Sequence, residues 1–204
     1  MKKAIFTLSL AAATLFAFAS GNEGNNDEAG PYKINTSSST VNWLGKKVTG
    51  EHGGTIAIKN GTISMIDGVI EAADLVIDMT KILVTDEDMG QEYKDKLVGH
   101  LMSADFFNVA EHNTSTFRLK TFTPESGENM YTVTGVLTIK GISNEITFPA
   151  IVVVKDNQIT ATADLTFDRS KFDIRYGSGS FFDSLGDNLI YDEVAINFSL
   201  VAQQ

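Results

Sequence analysis

A two-residue alternation of apolar and polar side chains, repeated along most of the chain, constrains the fold more than any other feature. In the last segment Val194, Ile196, Phe198, Leu200 and Ala202 share one face, while Ala195, Asn197, Ser199 and Val201 share the other. Successive side chains of a strand point to opposite sides of a sheet, so this pattern describes a half-buried antiparallel strand. The same period recurs in Ile159, Ala161, Ala163, Leu165 and Phe167, in Tyr131, Val133, Gly135, Leu137 and Ile139, and around Phe117 and Leu119. Val41 to Leu44, Val69 to Asp78 and Ile146 to Val154 add further strands. Thr55 to Ile58 and Thr62 to Met65 flank Asn60-Gly61, which reads as a tight hairpin turn, and Asp156-Asn157 reads as another. At least eight strands with short polar turns give an all-β barrel or sandwich. Threonine-rich outer faces over apolar inner ones make it a water-soluble antiparallel β-barrel, since a membrane barrel reverses that arrangement. A barrel of about eight strands is just wide enough to be filled by side chains or to hold one slender ligand.

One segment breaks the alternation. From Asp86 to Met102 the residues Met89, Tyr93, Leu97 and Leu101 recur every four positions, with Val98 and Met102 beside them, which is the spacing of one amphipathic helix. Thr85 and Asp88 form a capping-box-like start, and the acids Asp86, Glu87 and Asp88 suit a helix N-terminus.

The chain has no cysteine, so it holds no disulfide, zinc-thiolate site, thiol nucleophile or lipid-modified cysteine. Three histidines (His52, His100, His112) leave little material for a multi-histidine metal centre. Met1 to Ala19 opens with Lys2 and Lys3, runs apolar from Ala4 to Phe18 and ends in Ala17-Phe18-Ala19, the form of a signal peptide cleaved near Ala19. The apolar run is shorter than the ~20 residues of a spanning helix, so the expectation is an exported periplasmic protein without stable membrane insertion. With the two lysines of the leader set aside, 14 cationic side chains face 26 carboxylates, and a formal charge of −12 disfavours nucleic acid as a partner. Residues 20–30, rich in Gly, Asn and acid, read as a flexible linker, leaving 31–204 as one domain with one core.

Three ordered motifs give the chain a family likeness. His100-Leu101-Met102-Ser103-Ala104-Asp105-Phe106-Phe107-Asn108-Val109 resembles the H-L-x-S-x-D-F-F-D-V signature of the YceI-like family. Val133 to Gly141 is similar to its V-x-G-x-L-T-x-x-G strand and turn, and Arg169 to Ile174 to its R-x-x-F-x-I element. The likeness covers about Tyr32 to Ala202. It implies an extended lipocalin-like barrel of a bacterial exported protein that binds polyisoprenoid or similarly long apolar chains. Two family features are missing: residues 34–39 carry no histidine where an Asp-x-x-His-Ser element is common, and no arginine precedes the His100 signature.

The residues that would serve such a role have structural readings as well. His100 either pins the helix to the barrel or offers a polar contact at the mouth to a phosphate or quinone oxygen. Arg169, in the inward register of its strand, either pairs with Asp105 or Asp173 or meets a phosphate, because an unpaired buried charge costs several kcal/mol. Asp105 reads as a cap or as an anchor for His100 or Arg169. Of Phe106 and Phe107, adjacent and facing opposite ways, one plugs the core and the other lines a channel. Trp43, the single tryptophan, alternates with Val41. The glycine-rich stretch Gly177 to Asn188 lacks a lysine and a following helix, so it reads as a loop at the barrel mouth, with Phe181 and Phe182 gripping ligand or covering an open end.

The expected function is a non-enzymatic binding protein whose partner is one long-chain apolar lipid. Its apolar lining is drawn from Trp43, Phe106, Phe107, Leu137, Ile139, Leu165, Phe167, Phe172 and Phe198, and its polar mouth from His100 and Arg169. No cofactor is expected beyond a bound isoprenoid or quinone lipid, and the reading admits a homodimer. The alternative is a ligand-free barrel, filled by its own 13 phenylalanines, acting as an interaction or stress-response module. A quinone-dependent redox accessory is a third option, in which the bound quinone alone carries electrons.

Overall fold

The computed structural model describes residues 30–204; the signal peptide and nearly all of the linker expected from the sequence lie outside the described residues. Nine strands form one antiparallel sheet: β1 (Tyr32–Ile34), β2 (Thr40–Lys47), β3 (Gly50–Ile66), β4 (Val69–Val84), β5 (Thr114–Pro124), β6 (Met130–Ile139), β7 (Ile142–Lys155), β8 (Gln158–Asp168) and β9 (Ile190–Gln203). Strands β2 to β9 close into an eight-stranded barrel, because β3 pairs with both β2 and β4 while β2 also pairs with β9. The short β1 is an extra strand between the far end of β3 and the end of β9. Inward registers follow the alternation: Ile159, Ala163 and Phe167 of β8 are buried, with the intervening Thr162, Asp164 and Thr166 exposed.

The two ends of the barrel differ. At the hairpin end, Asp67-Gly68 and Asp156-Asn157 connect neighbouring strands, all four residues having positive φ. Left-handed backbone at both central positions gives a turn twist that matches the strands. At the helical end, a third turn of the same kind, Lys140-Gly141, joins β6 to β7, and the long β4–β5 and β8–β9 connections fold over the barrel. The first of these carries α1 (Gln91–Met102), the one α-helix among the described residues, and the second a 3-10 turn, Arg169–Phe172.

Three local expectations are corrected. Asn60-Gly61 is not a hairpin: β3 runs through it, with a register shift between Ile58 and Asn60, and the chain reverses instead at Asp67-Gly68. Glycine is needed at 61 for contact, since a Cβ there would lie 2.8 Å from both the Asp74 carbonyl oxygen and Ile34 Cγ1. The helix starts at Gln91, after Gly90, with no side-chain cap. The Asp86 carboxylate is engaged elsewhere, accepting the Gly53 N–H at 2.9 Å and lying 2.8 Å from His52 Nδ1, so it ties the helix leader to β3. Tyr93 is 66% exposed rather than on the buried face, which is carried by Leu97, Leu101 and Met102.

Candidate ligand-binding site

The inward residues form two apolar clusters along the barrel. One, toward the helical end, gathers Met79, Ile82, Leu101, Phe106, Ile139, Phe167, Phe172 and Ile174; the other, toward the hairpin end, gathers Ile34, Ile58, Ile63, Ile70, Val133, Phe148, Val152 and Ile159. Between and beside them runs an internal cavity of about 270 Å³, walled almost wholly by apolar atoms. Such a space is far above the ~10–15 Å³ that one water occupies, yet it lacks the polar partners that hold water, so it is suited to hydrocarbon.

Of the residues expected to line it, Trp43, Phe106, Phe107, Leu137, Ile139, Leu165, Phe167 and Phe198 all do. Trp43 is fixed by its indole N–H, which donates to the Thr55 carbonyl at 3.3 Å. Phe172 does not reach the cavity; it is 1% exposed and packs edge-on against Phe167, with ring centroids 5.6 Å apart. His100 also lies outside the cavity wall, its imidazole edge-on to Tyr176 at 4.4 Å and to Phe106 at 5.9 Å. The lining also includes Leu75, Ile77, Phe117, Leu119, Phe122 and Phe148, which the sequence reading did not select. Their signal was present in the same alternation. Leu75, Ile77, Phe117, Leu119 and Phe148 all lie in segments expected to be strands.

Arg169 is 1% exposed and touches the cavity wall, yet its donors face inward protein groups. Nε donates to the Tyr191 carbonyl at 3.2 Å, Nη1 to that of Ile174 at 2.9 Å and Nη2 to that of Ile190 at 3.0 Å. Its ionic partner is Asp192, with Nη2 and Oδ1 3.2 Å apart, and neither Asp105 nor Asp173. Asp105 is exposed on a surface cleft, and Asp173 accepts from Arg175 at 2.6 Å. The other oxygen of Asp192 accepts the hydroxyls of Ser178 at 2.9 Å and Ser180 at 2.7 Å. Ser178 is 0% exposed, so part of the glycine-rich stretch is an interior anchor, while Phe181 and Phe182 stay on the surface. Burial pulls the Arg169 pKa below the ordinary guanidinium value, and Asp192 and Asp168 oppose that pull. A buried pair of this kind needs its remaining hydrogen bonds made: the three carbonyls make those of Arg169 and two serine hydroxyls those of Asp192 Oδ2, while Asp192 Oδ1 has the ionic contact alone. Nothing in the sequence around Asp192 pointed to this role.

The three motifs converge on this one end. In the His100 signature, Phe107 N–H donates to the Leu101 carbonyl at 3.1 Å and Val109 N–H to that of Met102 at 3.0 Å, folding a plug that places Phe106 5.5 Å beneath the Arg169 guanidinium. In the β6 motif, Lys140 Nζ donates to the Asp173 carbonyl at 2.9 Å, while farther along the strand a Cβ at Gly135 would lie 2.2 Å from the Phe117 ring, so glycine there admits an aromatic side chain of the cavity wall. In the third, Asp168 accepts the Ser170 N–H at 2.9 Å and hydroxyl at 2.6 Å, holding the turn that seats Phe172.

A closed eight-stranded antiparallel barrel around an apolar cavity defines a lipocalin-like architecture. Within that class the chain belongs to the YceI-like domain family, whose model matches residues 32–202. Among solved structures it is similar to BcnA of Burkholderia cenocepacia, at 25% identity and a TM-score of 0.67 over 83% of this chain and 99% of that one. It shares its fold with a polyisoprenoid binding domain from Saccharophagus degradans implicated in plant cell wall breakdown, at 17% identity and a TM-score of 0.64 over 84% and 97% of the two chains. It likewise shares it with a YCEI protein of Campylobacter jejuni, at 20% identity and a TM-score of 0.54 over 72% and 82%. No curated protein matches the chain. No helix among the described residues is long and apolar enough to cross a membrane.

Proposed function

We propose that the protein is an exported, non-enzymatic carrier or reservoir that buries one long apolar chain, of isoprenoid or quinone type, inside its barrel in the periplasm. The observation that carries this reading is the apolar cavity of about 270 Å³ along the barrel interior. A barrel filled by its own side chains, the competing interaction module, has no use for such a space. Each methylene moved from water to this wall contributes ~0.8 kcal/mol, so about ten isoprenoid carbons offset the cost of ordering the chain. The leader-like Met1 to Ala19 supports export, and the description of the Saccharophagus degradans domain supports the ligand class.

Native mass spectrometry with organic extraction, on protein purified after export through its own leader, tests the proposal. The expected result is a retained mass of several hundred daltons that extracts as an isoprenoid or quinone. Bare protein that also fails to quench Trp43 when offered such lipids favours the filled module. Leu137→Arg, which sets a charge into the wall, is expected to abolish uptake with an unchanged circular-dichroism spectrum; undiminished binding by that folded variant refutes the assigned lining.

A further inference from the structure

The barrel wall parts between β4 and β5, beside the cavity. Strands β4 and β5 pair only from Asp78↔Thr114 to Asp74↔Arg118, although β4 continues through residues 69–73 and β5 through 119–124 toward the hairpin end. Each strand is irregular where they separate. On β4 the ladder to β3 steps from Ala72 to Ile70, leaving Glu71 as an extra residue; on β5 the ladder to β6 steps from Leu119 to Thr121, leaving Lys120. Bulges bend a strand and end its pairing, and one on each side splays the two strands apart. Ile70, Ala73, Leu119 and Phe122, on either side of the split, all line the cavity. The ring of Phe122 is stacked on Tyr131 at 4.1 Å, which holds it at the lip. The last bonded rung carries an exposed ion pair, Arg118 Nε to Asp74 Oδ1 at 2.8 Å.

The wall has two other interruptions. Strands β7 and β8 pair only from Lys155↔Gln158 to Ile151↔Thr162, and toward the helical end the 3-10 turn Arg169–Phe172 packs over that split, with Phe172 1% exposed and Asn144 donating to the Lys171 carbonyl at 2.9 Å. The other is covered as well. Between Thr55 and Thr62, β3 has no partner in β2 or β1, and there Ile34 packs directly over Gly61. The helical end is sealed by α1, the Phe106 plug and the Arg169 network. Unpaired edges are a liability that soluble sheets ordinarily cover, so an uncovered pair of edges over an apolar cavity calls for a use.

We infer that the split between residues 69–73 of β4 and 119–124 of β5 is the portal through which the apolar chain enters and leaves, leaving its polar head beside Asp74 and Arg118. This rests on the carrier reading above. An apolar chain slides past Ile70, Ala73, Leu119 and Phe122 without any helix having to unpack.

The absence of native cysteines makes the test clean. In one protein the exposed Ala72 and Thr121 are changed to cysteine and joined across the split by a short bis-maleimide; in another the exposed Ala104 and Asp187, which flank a cleft at the helical end, are joined likewise. Association of a long-chain prenylated benzoquinone is followed by stopped-flow quenching of Trp43, with cross-linking verified by mass. The portal clamp is expected to slow association by about tenfold or more while the helical-end clamp leaves it unchanged, in keeping with the spread of association rates among variants of one site. Phe122→Ala, which removes the ring at the lip, is expected to speed association without any cross-link. The inference is overturned if the portal clamp has no effect, if the helical-end clamp slows entry as much or more, or if Phe122→Ala leaves the rate unchanged. A wild-type protein that never quenches Trp43 with the quinone instead overturns the carrier reading itself, so the two failures are distinct.

Discussion

The helical end of the barrel carries a buried polar hub, whereas the interior of the hairpin end is closed by apolar packing. At the helical end one guanidinium, 1% exposed, gathers carbonyls from residues 174, 190 and 191 and the carboxylate of Asp192, which in turn holds Ser178 and Ser180. At the hairpin end, tight turns and aliphatic side chains such as Ile34, Ile63, Ile70 and Ile159 close the interior, and the wall between β4 and β5 is unbonded. Directional hydrogen bonds fix one geometry, whereas aliphatic contacts are non-directional and tolerate displacement. The proposed carrier, sealed at one end and admitting a chain at the other, would rest on that asymmetry.

The strongest way to break this comparison is to remove the polar hub. Arg169→Leu leaves Asp192 without its cation and three carbonyls without donors, so a loss of about 3–5 kcal/mol is expected, read as a shift in the urea midpoint. A loss under about 1 kcal/mol would mean that the hub decorates the helical end rather than holding it. Next in size is a matched pair of truncations. Phe172→Ala empties a filled site and is expected to cost about 3 kcal/mol or more, because the neighbours cannot relax into the hole. Phe198→Ala only widens a void that already exists, so it is expected to cost about 1–2 kcal/mol less. Equal losses would mean that the lining is packed as tightly as the plug.

Much of the barrel was legible because inward and outward registers are written into the chain at period two. Six of the nine proposed apolar lining residues, Trp43, Leu137, Ile139, Leu165, Phe167 and Phe198, line the cavity for that reason, and Phe106 and Phe107 line it from the plug. Phe172 escaped because the alternation stops at Asp168, where the chain turns into a 3-10 geometry that seats the ring in the plug. The family motifs also build the sealed end: Phe106 lies beneath Arg169, Lys140 donates to the Asp173 carbonyl, and Ser170 is bonded to Asp168. Asp192 was invisible, since a carboxylate whose partner is 23 positions away in sequence leaves no local pattern. The split between β4 and β5 was invisible too, because it arises from which strands fail to pair, and bulges at Glu71 and Lys120 have no composition signal.

The smallest effect separates two acids of one short run. The sequence pattern makes Asp88 part of a helix cap, yet the helix begins at Gln91 after Gly90, and Asp88 stays exposed. Asp86 does the anchoring, joining the helix leader to β3 through His52 and the Gly53 N–H. Asp86→Ala leaves the partly buried Gly53 donor unsatisfied and removes the imidazole's partner, so about 1–2 kcal/mol of stability is expected to go. Asp88→Ala removes no hydrogen bond and is expected to stay within about 0.5 kcal/mol. Paired thermal melts with hydrogen exchange on α1 distinguish the two sites: faster exchange in the helix only for Asp86→Ala ties the helical end to the barrel by this link. The reverse order would return the helix start to the capping-box residues and detach β3 from the seal.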